Sequence, residues 1–130
     1  MAWRRNRNKY NNHKITVDGE VFDSEREYRR YLELQLLEKS GVIRDLHRQV
    51  TFDLIPEARE PDRYGPRGGL HRGKVIERGV SYIADFTYYA TRPSGEEEFV
   101  VEDCKGMRTD DYKIKRKLML FIHKIRVRET

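Results

Sequence analysis

Acidic residues and a lysine stand at the end of an apolar stretch, where chemistry explains them better than packing does. The segment "EEEFVVEDCKGMR", residues 96–108, contains Asp103 and Lys105, and another acid, Asp85, lies within the apolar run "SYIADFTYY". Two carboxylates held close together repel each other unless a cation lies between them. Oxygen ligands of this kind suit a hard divalent ion such as Mg²⁺ or Mn²⁺.

Two strands joined by a turn would bring these side chains together. The β-rich runs flank the turn-forming residues 93–95. If the turn is centred on its middle residue, Asp85 faces Asp103 across the strand pair, and Lys105 lies on the same face. Glu102 then points to the opposite face, so we predict a structural role for it.

A simpler interpretation of the same residues stays open. Asp85 could cap a turn, and Asp103 with Lys105 could form a salt bridge at a solvated strand end. The neighbouring side chains are apolar, which favours a site embedded in the sheet over an exposed surface.

A hairpin and a helix are predicted before these strands. The pair Asp18-Gly19 between β-branched residues is typical of a two-residue turn. Ser24 and Glu27 form a capping-box pattern and Gly41 is a stop signal, which predicts a helix over residues 24–39. Helical periodicity places its main apolar stripe at Tyr28, Tyr31, Leu32 and Leu36.

The remaining segments complete a mixed α/β pattern. Alternation at residues 50–54 predicts a strand that Pro56 closes. The glycine-rich, basic insert at about 57–79 is predicted to be a long loop or a loosely ordered hairpin. Thr109 caps a second predicted helix, and a short strand "IRVR" follows it. The side chains of this helix expected to turn inward are Leu118, Phe121 and Ile122.

Composition limits the class of protein. A chain of 130 residues forms one domain, and we divide it into a basic flexible arm at 1–14 and a domain at 15–130. The net charge of +5 and the pI near 9.4 favour polyanionic partners. Cys104 is the only cysteine, so no intramolecular disulfide forms. The sequence has no membrane span, secretion signal or nucleotide-binding loop, so we expect a cytoplasmic protein without a nucleotide cofactor.

The ordered motifs resemble a known superfamily. An acid in a strand, a hairpin and then "DCK" as (D/E)xK resemble the PD-(D/E)xK signature of restriction-endonuclease-like nucleases. Together with "FDSEREYRRYLEL", "KITVDG", "GVIRDL" and "FDLIP", the pattern is similar to small phage and prophage nuclease-like proteins across residues 9–128. Ala84 stands where the motif has its proline. The literal Pro61-Asp62 pair lies in the glycine-rich loop, which offers no rigid element for chemistry.

The resemblance implies an α/β restriction-endonuclease-like core with a central mixed sheet flanked by helices and an N-terminal hairpin. It implies that Asp85, Asp103 and the backbone carbonyl of Cys104 bind one or two Mg²⁺ or Mn²⁺ ions. Lys105 would orient the attacking water or stabilise charge, and Gln49 resembles a residue that lines such sites, although a turn residue would explain it too. The helix-borne acid of the family corresponds to Glu27, acting directly or through water, whereas periodicity alone favours Glu25.

The implied substrate is DNA. Small phage nucleases of this class include dimeric resolvases, so we expect a homodimer that cuts branched DNA, such as a Holliday junction, during phage recombination or DNA processing in a bacterial host. The alternatives are a nuclease fold that binds DNA or assembles without catalysis, and a basic RNA-binding protein. The basic residues expected to contact the backbone are Arg4, Arg5, Arg7, Lys9, Arg67, Arg72, Lys74, Lys113, Lys115, Arg116 and Lys117.

Overall fold

A computed structural model describes residues 13–130, and the first element in it is a small hairpin. Strand β1 (Ile15–Val17) pairs with β2 (Glu20–Phe22) in antiparallel fashion. Asp18 and Gly19 form the turn with φ values of 50° and 80°. Positive φ at both central residues matches the twist of the flanking strands, so the predicted two-residue turn is confirmed.

Helix α1 (Glu25–Lys39) begins and ends as the sequence predicts. The Ser24 hydroxyl accepts a hydrogen bond from the Glu27 N–H at 3.1 Å, and Gly41, just past the helix, has a φ of 82°. Glycine takes up this left-handed conformation without steric cost.

The predicted apolar stripe of α1 is wrong at Leu32 and Leu36, whereas its other members, Tyr28 and Tyr31, are partly buried. Leu32 is 46% exposed and Leu36 is 69% exposed, whereas Glu27 and Leu34 are buried. Tyr31 stacks on Phe86 of the sheet with the ring centroids 6.1 Å apart. Residues 27, 31 and 34 share one helix face, and that face packs on the sheet.

Four strands form the central mixed sheet in the order β10–β9–β8–β3. Neighbours β3, β8 and β9 are antiparallel, and β10 is parallel to β9. Phe86 pairs with Glu102 and Tyr88 with Val100, which is the register expected for a turn centred on residue 94. The predicted pairing of these two strands is therefore confirmed. The strand bounds are Ile43–Ile55 for β3, Val80–Thr91 for β8, Glu97–Asp103 for β9 and Arg128–Glu129 for β10.

Strand β8 contributes to two separate apolar clusters. Tyr82 and Ala84 pack in a cluster with Val101, Tyr112 and Met119. Phe86 and Tyr88 instead pack with Leu34, Ile43 and Val100. In a regular strand these four even-numbered residues would share one face. The strand therefore changes the face that it presents between Ala84 and Phe86, which places Asp85 at the change.

Strand β3, which pairs with β8, is irregular at the position across from Asp85. Arg48 pairs with Phe86 and Val50 pairs with Ala84, so Gln49 occupies the position across from Asp85. Gln49 has a φ of 52°, an unusual value for a non-glycine residue within a strand. Strained backbone of this kind is concentrated at functional sites, because the surrounding structure must hold it in place.

The basic insert forms an exposed hairpin in which an inner strand pair lies within an outer strand pair. A hairpin was one of the two predicted alternatives, the other being a long loop. Strand β4 (Ala58–Arg59) pairs with β7 (Val75–Glu77), and β5 (Arg63–Tyr64) pairs with β6 (Leu70–His71). A Cβ atom at Gly73 would lie 1.6 Å from the Glu60 carbonyl oxygen. Only glycine allows this close approach of the two arms.

The C-terminal helix differs from its prediction on one face. Helix α2 (Asp110–Leu118) has the predicted Thr109 cap, which accepts from the Tyr112 N–H at 3.2 Å. It continues into a π-helical turn, Met119–His123. The wider turn shifts the side chains relative to a regular helix, so Met119 is buried while Phe121 is 74% exposed. Ile122 is also exposed, so the prediction that both turn inward is wrong.

The C-terminal strand is shorter and later than predicted. Strand β10 comprises Arg128–Glu129 and not residues 125–128. Val127 lies just before it and packs into the cluster of Tyr82 and Met119, so this residue serves the core and not the strand ladder.

Candidate acidic metal site

Asp85 lies at the centre of a group of acidic side chains. It is only 9% exposed, and its Oδ2 atom accepts a hydrogen bond from the Cys104 N–H at 2.8 Å. Burial, together with hydrogen bonding and repulsion from Asp103 and repulsion from Glu27, raises the pKa of Asp85 to about 9. The carboxyl group therefore favours its protonated form unless a cation offsets the burial and the neighbouring negative charges.

Asp103 is held by one oxygen and presents the other without a partner. Its side chain is 1% exposed, and Oδ2 accepts a hydrogen bond from the Tyr82 hydroxyl at 2.5 Å. Lys105 Nζ lies 3.3 Å from the same oxygen. Oδ1 is buried and has no hydrogen-bond partner among residues 13–130. An unpartnered buried carboxylate oxygen is costly, so this atom is suited to bind a cation.

Glu27 reaches the group from the first turn of α1. Its side chain is 2% exposed, and burial is the largest cause of its raised pKa. One oxygen accepts from the Asp23 N–H at 3.0 Å, and the other accepts from the Gln49 amide at 3.0 Å. Arg48 lies 3.6 Å from the latter oxygen. These contacts fix the position of the carboxylate beside Asp85.

Three carboxylates are close enough to share one ion. An oxygen from each of Asp23, Glu27 and Asp85 lies within 4.8 Å of the other two. Asp23 is exposed, whereas Glu27 and Asp85 are buried, so the group opens toward solvent on the side of the helix N-terminus. All of the donors are carboxylate oxygens, the type that Mg²⁺ and Mn²⁺ prefer. The residues present therefore fit a hard divalent cation.

Lys105 is the cation that the chain itself supplies. Its ammonium group lies 3.3 Å from Asp103 and 4.5 Å from the centre of the Tyr112 ring, and its side chain is 28% exposed. The attraction of the ring and the carboxylate fixes the amine at the edge of the acidic group. One face of the ammonium group remains open to a molecule approaching from solvent.

Cys104 takes part through its backbone. Its N–H group orients Asp85, while its Sγ atom lies 3.3 Å from the Thr130 hydroxyl. Burial raises the pKa of the thiol to about 11, so it is protonated near neutral pH. The thiol has none of the properties of a reactive nucleophile.

The other predicted acids lie apart from this group. Glu25, which periodicity favoured, has a 68% exposed side chain that forms an ion pair with Arg29 at 2.6 Å. Its predicted orientation toward the sheet is wrong, because the face chosen from the apolar stripe is not the buried one. Glu102 is fully buried and accepts from the Arg30 guanidinium at 2.7 Å. That contact ties the sheet to α1 and accords with a structural role.

Sequence reasoning missed two contributors. Asp23 precedes the helix cap and lies four residues before Glu27, a spacing that returns it to the same helix terminus. This spacing was a usable signal. Tyr82 carried no signal, because a tyrosine in an apolar strand is usually a core residue. Its hydroxyl reaches Asp103 because Tyr82 packs in a cluster with Val101 of β9 and Tyr112 of α2.

The predicted DNA-contacting residues fall into three groups. Lys113 and Lys117 on α2 are exposed, Lys115 is partly buried, and Arg116 forms an ion pair with Glu129 at 2.6 Å. The three predicted residues of the insert are exposed and form no ion pair with another residue of 13–130: Arg67, Arg72 and Lys74. The residues of the predicted arm lie outside the described part of the chain: Arg4, Arg5, Arg7 and Lys9.

The fold and this site define an α/β domain whose central strands β8 and β9 carry buried carboxylates with a lysine beside them. Residues 7–129 match the family described as "Protein of unknown function (DUF1064)", and the chain belongs to this family. No curated protein and no solved structure matches the chain. Within residues 13–130, neither helix has the length and apolar character needed to cross a membrane.

Proposed function

We propose that this protein is a metal-dependent endonuclease with a restriction-endonuclease-like core that hydrolyses DNA phosphodiester bonds. The observation that supports it most is the state of Asp103. One of its oxygens is fixed by Tyr82 and Lys105, while the other is buried without a partner among the described residues. Glu102 also has a buried oxygen without a partner, so the distinguishing features of Asp103 are the Lys105 ammonium group at 3.3 Å and the carboxyl group of Asp85 beside it.

The carboxylates would hold the ion. Asp23, Glu27 and Asp85 have oxygens within 4.8 Å of one another, and Asp103 lies outside that set. Asp103, whose carboxyl group interacts with that of Asp85, would supply a further oxygen from the adjacent strand. The backbone carbonyl of Cys104 is a further expected ligand. Bound Mg²⁺ or Mn²⁺ would act as a Lewis acid toward the phosphate and the attacking water.

The neighbouring side chains set the geometry of the reaction. Lys105, which lies 3.3 Å from Asp103, would orient the attacking water or stabilise negative charge that develops on the phosphate oxygens. Gln49 fixes one oxygen of Glu27, and Tyr82 fixes one oxygen of Asp103. These outer contacts hold the carboxylates in a constant arrangement while the substrate binds.

The expected substrate class is branched DNA. This part of the proposal rests on the resemblance to small phage nucleases, together with the exposed basic residues of the insert and α2. Two symmetric cuts in a branched molecule require two active sites, so a homodimer is the expected assembly. Phage recombination or DNA processing in the cytoplasm of a bacterial host is the expected setting.

Cleavage assays on three DNA forms test the proposal. Supercoiled plasmid, linear duplex and a synthetic four-way junction are incubated with the protein in Mg²⁺ or in EDTA. The variants Asp103→Asn and Lys105→Ala should each lose cleavage. The first weakens the binding site for the metal ion, and the second removes the ammonium group of Lys105. Glu25→Gln is the matched control, since Glu25 is an exposed acid on the same helix as Glu27.

The results of these assays distinguish a nuclease from a protein that binds DNA without cutting it. Cleavage that requires Mg²⁺, persists in Glu25→Gln and disappears in both site variants supports the hydrolytic proposal. Preference for the junction over the linear duplex supports the branched substrate. If the wild-type protein binds DNA but cuts none of the three forms in Mg²⁺ or Mn²⁺, the proposal is wrong and a DNA-binding or assembly role takes its place.

A further inference from the structure

A basic cleft lies between α2 and the C-terminal strand. Its volume is about 800 Å³. Leu120 and Val127 supply its apolar surface. The cationic residues that line it are Arg108, Arg116, Lys117, Arg126 and Arg128.

Positive charge exceeds negative charge in this cleft. Five cationic side chains face two carboxylates, those of Glu98 and Glu129, which leaves a formal excess of three positive charges. Lys117 and Arg126 are exposed and form no ion pair with another residue of 13–130. A concave surface of this charge attracts a polyanion and concentrates it locally.

Glu129 occupies the most cationic part of the cleft. It forms ion pairs with Arg116, at 2.6 Å, and with Arg108. Its side chain is 17% exposed, and although burial opposes its charged form, hydrogen bonds from Arg116 and Arg108 outweigh burial and lower its pKa. The guanidinium groups are therefore already arranged around an anion, in the geometry that also suits a phosphate.

The cleft adjoins the acidic site. Glu129 pairs with Asp103 in the sheet. The Tyr112 ring is common to the two regions, because its centre lies 4.5 Å from Lys105 Nζ of the site and 5.8 Å from Arg116 Cζ of the cleft. An extended polyanion in the cleft would lead directly toward Lys105.

We propose that this cleft binds the phosphodiester backbone of one DNA strand and that Glu129 competes with the phosphates for Arg108 and Arg116. The inference rests on the proposed DNA substrate, but it requires neither a metal ion nor cleavage. A nucleic-acid backbone suits the site because it is narrow enough to enter a concave cleft, whereas the flat surface of a membrane is not. The apolar side chain of Leu120 can contact the sugars between phosphates.

Two variants with opposite expected effects test the cleft. Binding of a fluorescent duplex of about 20 base pairs is measured by anisotropy in EDTA at several salt concentrations. Glu129→Gln should tighten binding about fivefold, because it removes the competing charge. Arg126→Ala should weaken binding by a similar factor and reduce the salt slope by about 0.9, the value for one phosphate contact.

The controls match the charge changes at a distance from the cleft. Glu25→Gln and Lys39→Ala alter exposed residues of α1 and should leave affinity within about twofold of the wild type. Thermal unfolding checks that Glu129→Gln remains folded. If Glu129→Gln is unstable, Arg126→Ala still tests the cleft. Arg126 is exposed and forms no ion pair within 13–130, so its replacement should not affect folding.

The results distinguish this inference from the nuclease proposal. Opposite shifts in the two cleft variants support the inference even if the wild-type protein never cuts DNA. The inference is overturned if wild-type protein does not bind the duplex, or if the cleft variants behave like their controls, even where cleavage occurs. Equal competition by polyglutamate at the same charge concentration would also overturn it, since the site would then accept any polyanion.

Discussion

Replacing Asp85 with asparagine should stabilise the protein in EDTA above neutral pH, although it removes a proposed metal ligand. Burial and the neighbouring acids raise the pKa of Asp85 to about 9 in the folded chain. An unfolded aspartate has a pKa of about 3.9. Between these values the folded state binds more protons than the unfolded state, so the free energy of unfolding falls as the pH rises.

The magnitude follows from proton linkage. One proton held only in the folded state changes the free energy of unfolding by about 1.4 kcal/mol for each pH unit between about pH 5 and pH 8. Asparagine does not titrate, and its side-chain oxygen can still accept the Cys104 N–H bond that Asp85 accepts now. The free energy of unfolding of Asp85→Asn relative to wild type should therefore increase by about 2.7 kcal/mol from about pH 6 to pH 8.

Urea unfolding in EDTA at a series of pH values measures this difference directly. Other groups that titrate in the range cancel, because both proteins contain them. Added Mg²⁺ provides a second reading. At a concentration of about ten times its dissociation constant, it should stabilise the wild type by about 1.4 kcal/mol and Asp85→Asn by much less.

A pH-independent difference between the two proteins would refute this reasoning. It would mean that Asp85 is ionised in the folded protein across the whole range and that burial does not control its protonation. Glu25→Gln serves as the control, because this exposed acid should change stability equally at every pH in the series.

Three further predictions concern the residues around the site and the core. Tyr82→Phe removes the hydrogen bond to Asp103, so half-maximal cleavage should require about 10- to 100-fold more Mg²⁺; an unchanged Mg²⁺ titration would contradict the positioning role. Leu34→Ala should lower the free energy of unfolding in urea by about 2–5 kcal/mol, because Leu34 is fully buried. Leu36→Ala should lower it by less than about 0.5 kcal/mol, because Leu36 is 69% exposed. The reverse order would show that α1 packs by another face. Cys104 carries the single thiol of the chain, and burial raises its pKa to about 11. At about pH 8 it should react with a thiol reagent at least about 100-fold more slowly in the folded chain than in urea. Similar rates in the two conditions would contradict this burial.

Several local features of the fold follow from short stretches of sequence. The Asp18-Gly19 turn, the Ser24 cap and the Gly41 stop each depend on the conformational preferences of a few adjacent residues. The register of β8 and β9 depends on the turn at residues 92–96, which joins them directly. Asp85 and Asp103 could therefore be placed on adjacent strands from sequence alone.

The faces of the helices could not be predicted in this way. The apolar residues of α1 are distributed around the helix, so periodicity selected Leu32 and Leu36, while packing buries Leu34 and Glu27. In the C-terminal helix, the π-helical turn at Met119–His123 shifts the side chains and exposes Phe121. Which face is buried depends on the surface that each helix meets, and that surface is built from distant segments.

The sequence by itself determined the turns, the helix ends, the pairing of β8 with β9 and the placement of Asp85 and Asp103 on these strands, because these depend on neighbouring residues. The tertiary structure decided that β8 changes its buried face at Asp85, that Glu27 and not Glu25 faces the sheet, and that Tyr82 fixes Asp103. These features arise where α1, α2 and three strands meet. Contacts between segments far apart in the chain bury the carboxyl groups and so raise the pKa of Asp85 and of Glu27. No local sequence pattern encodes that burial.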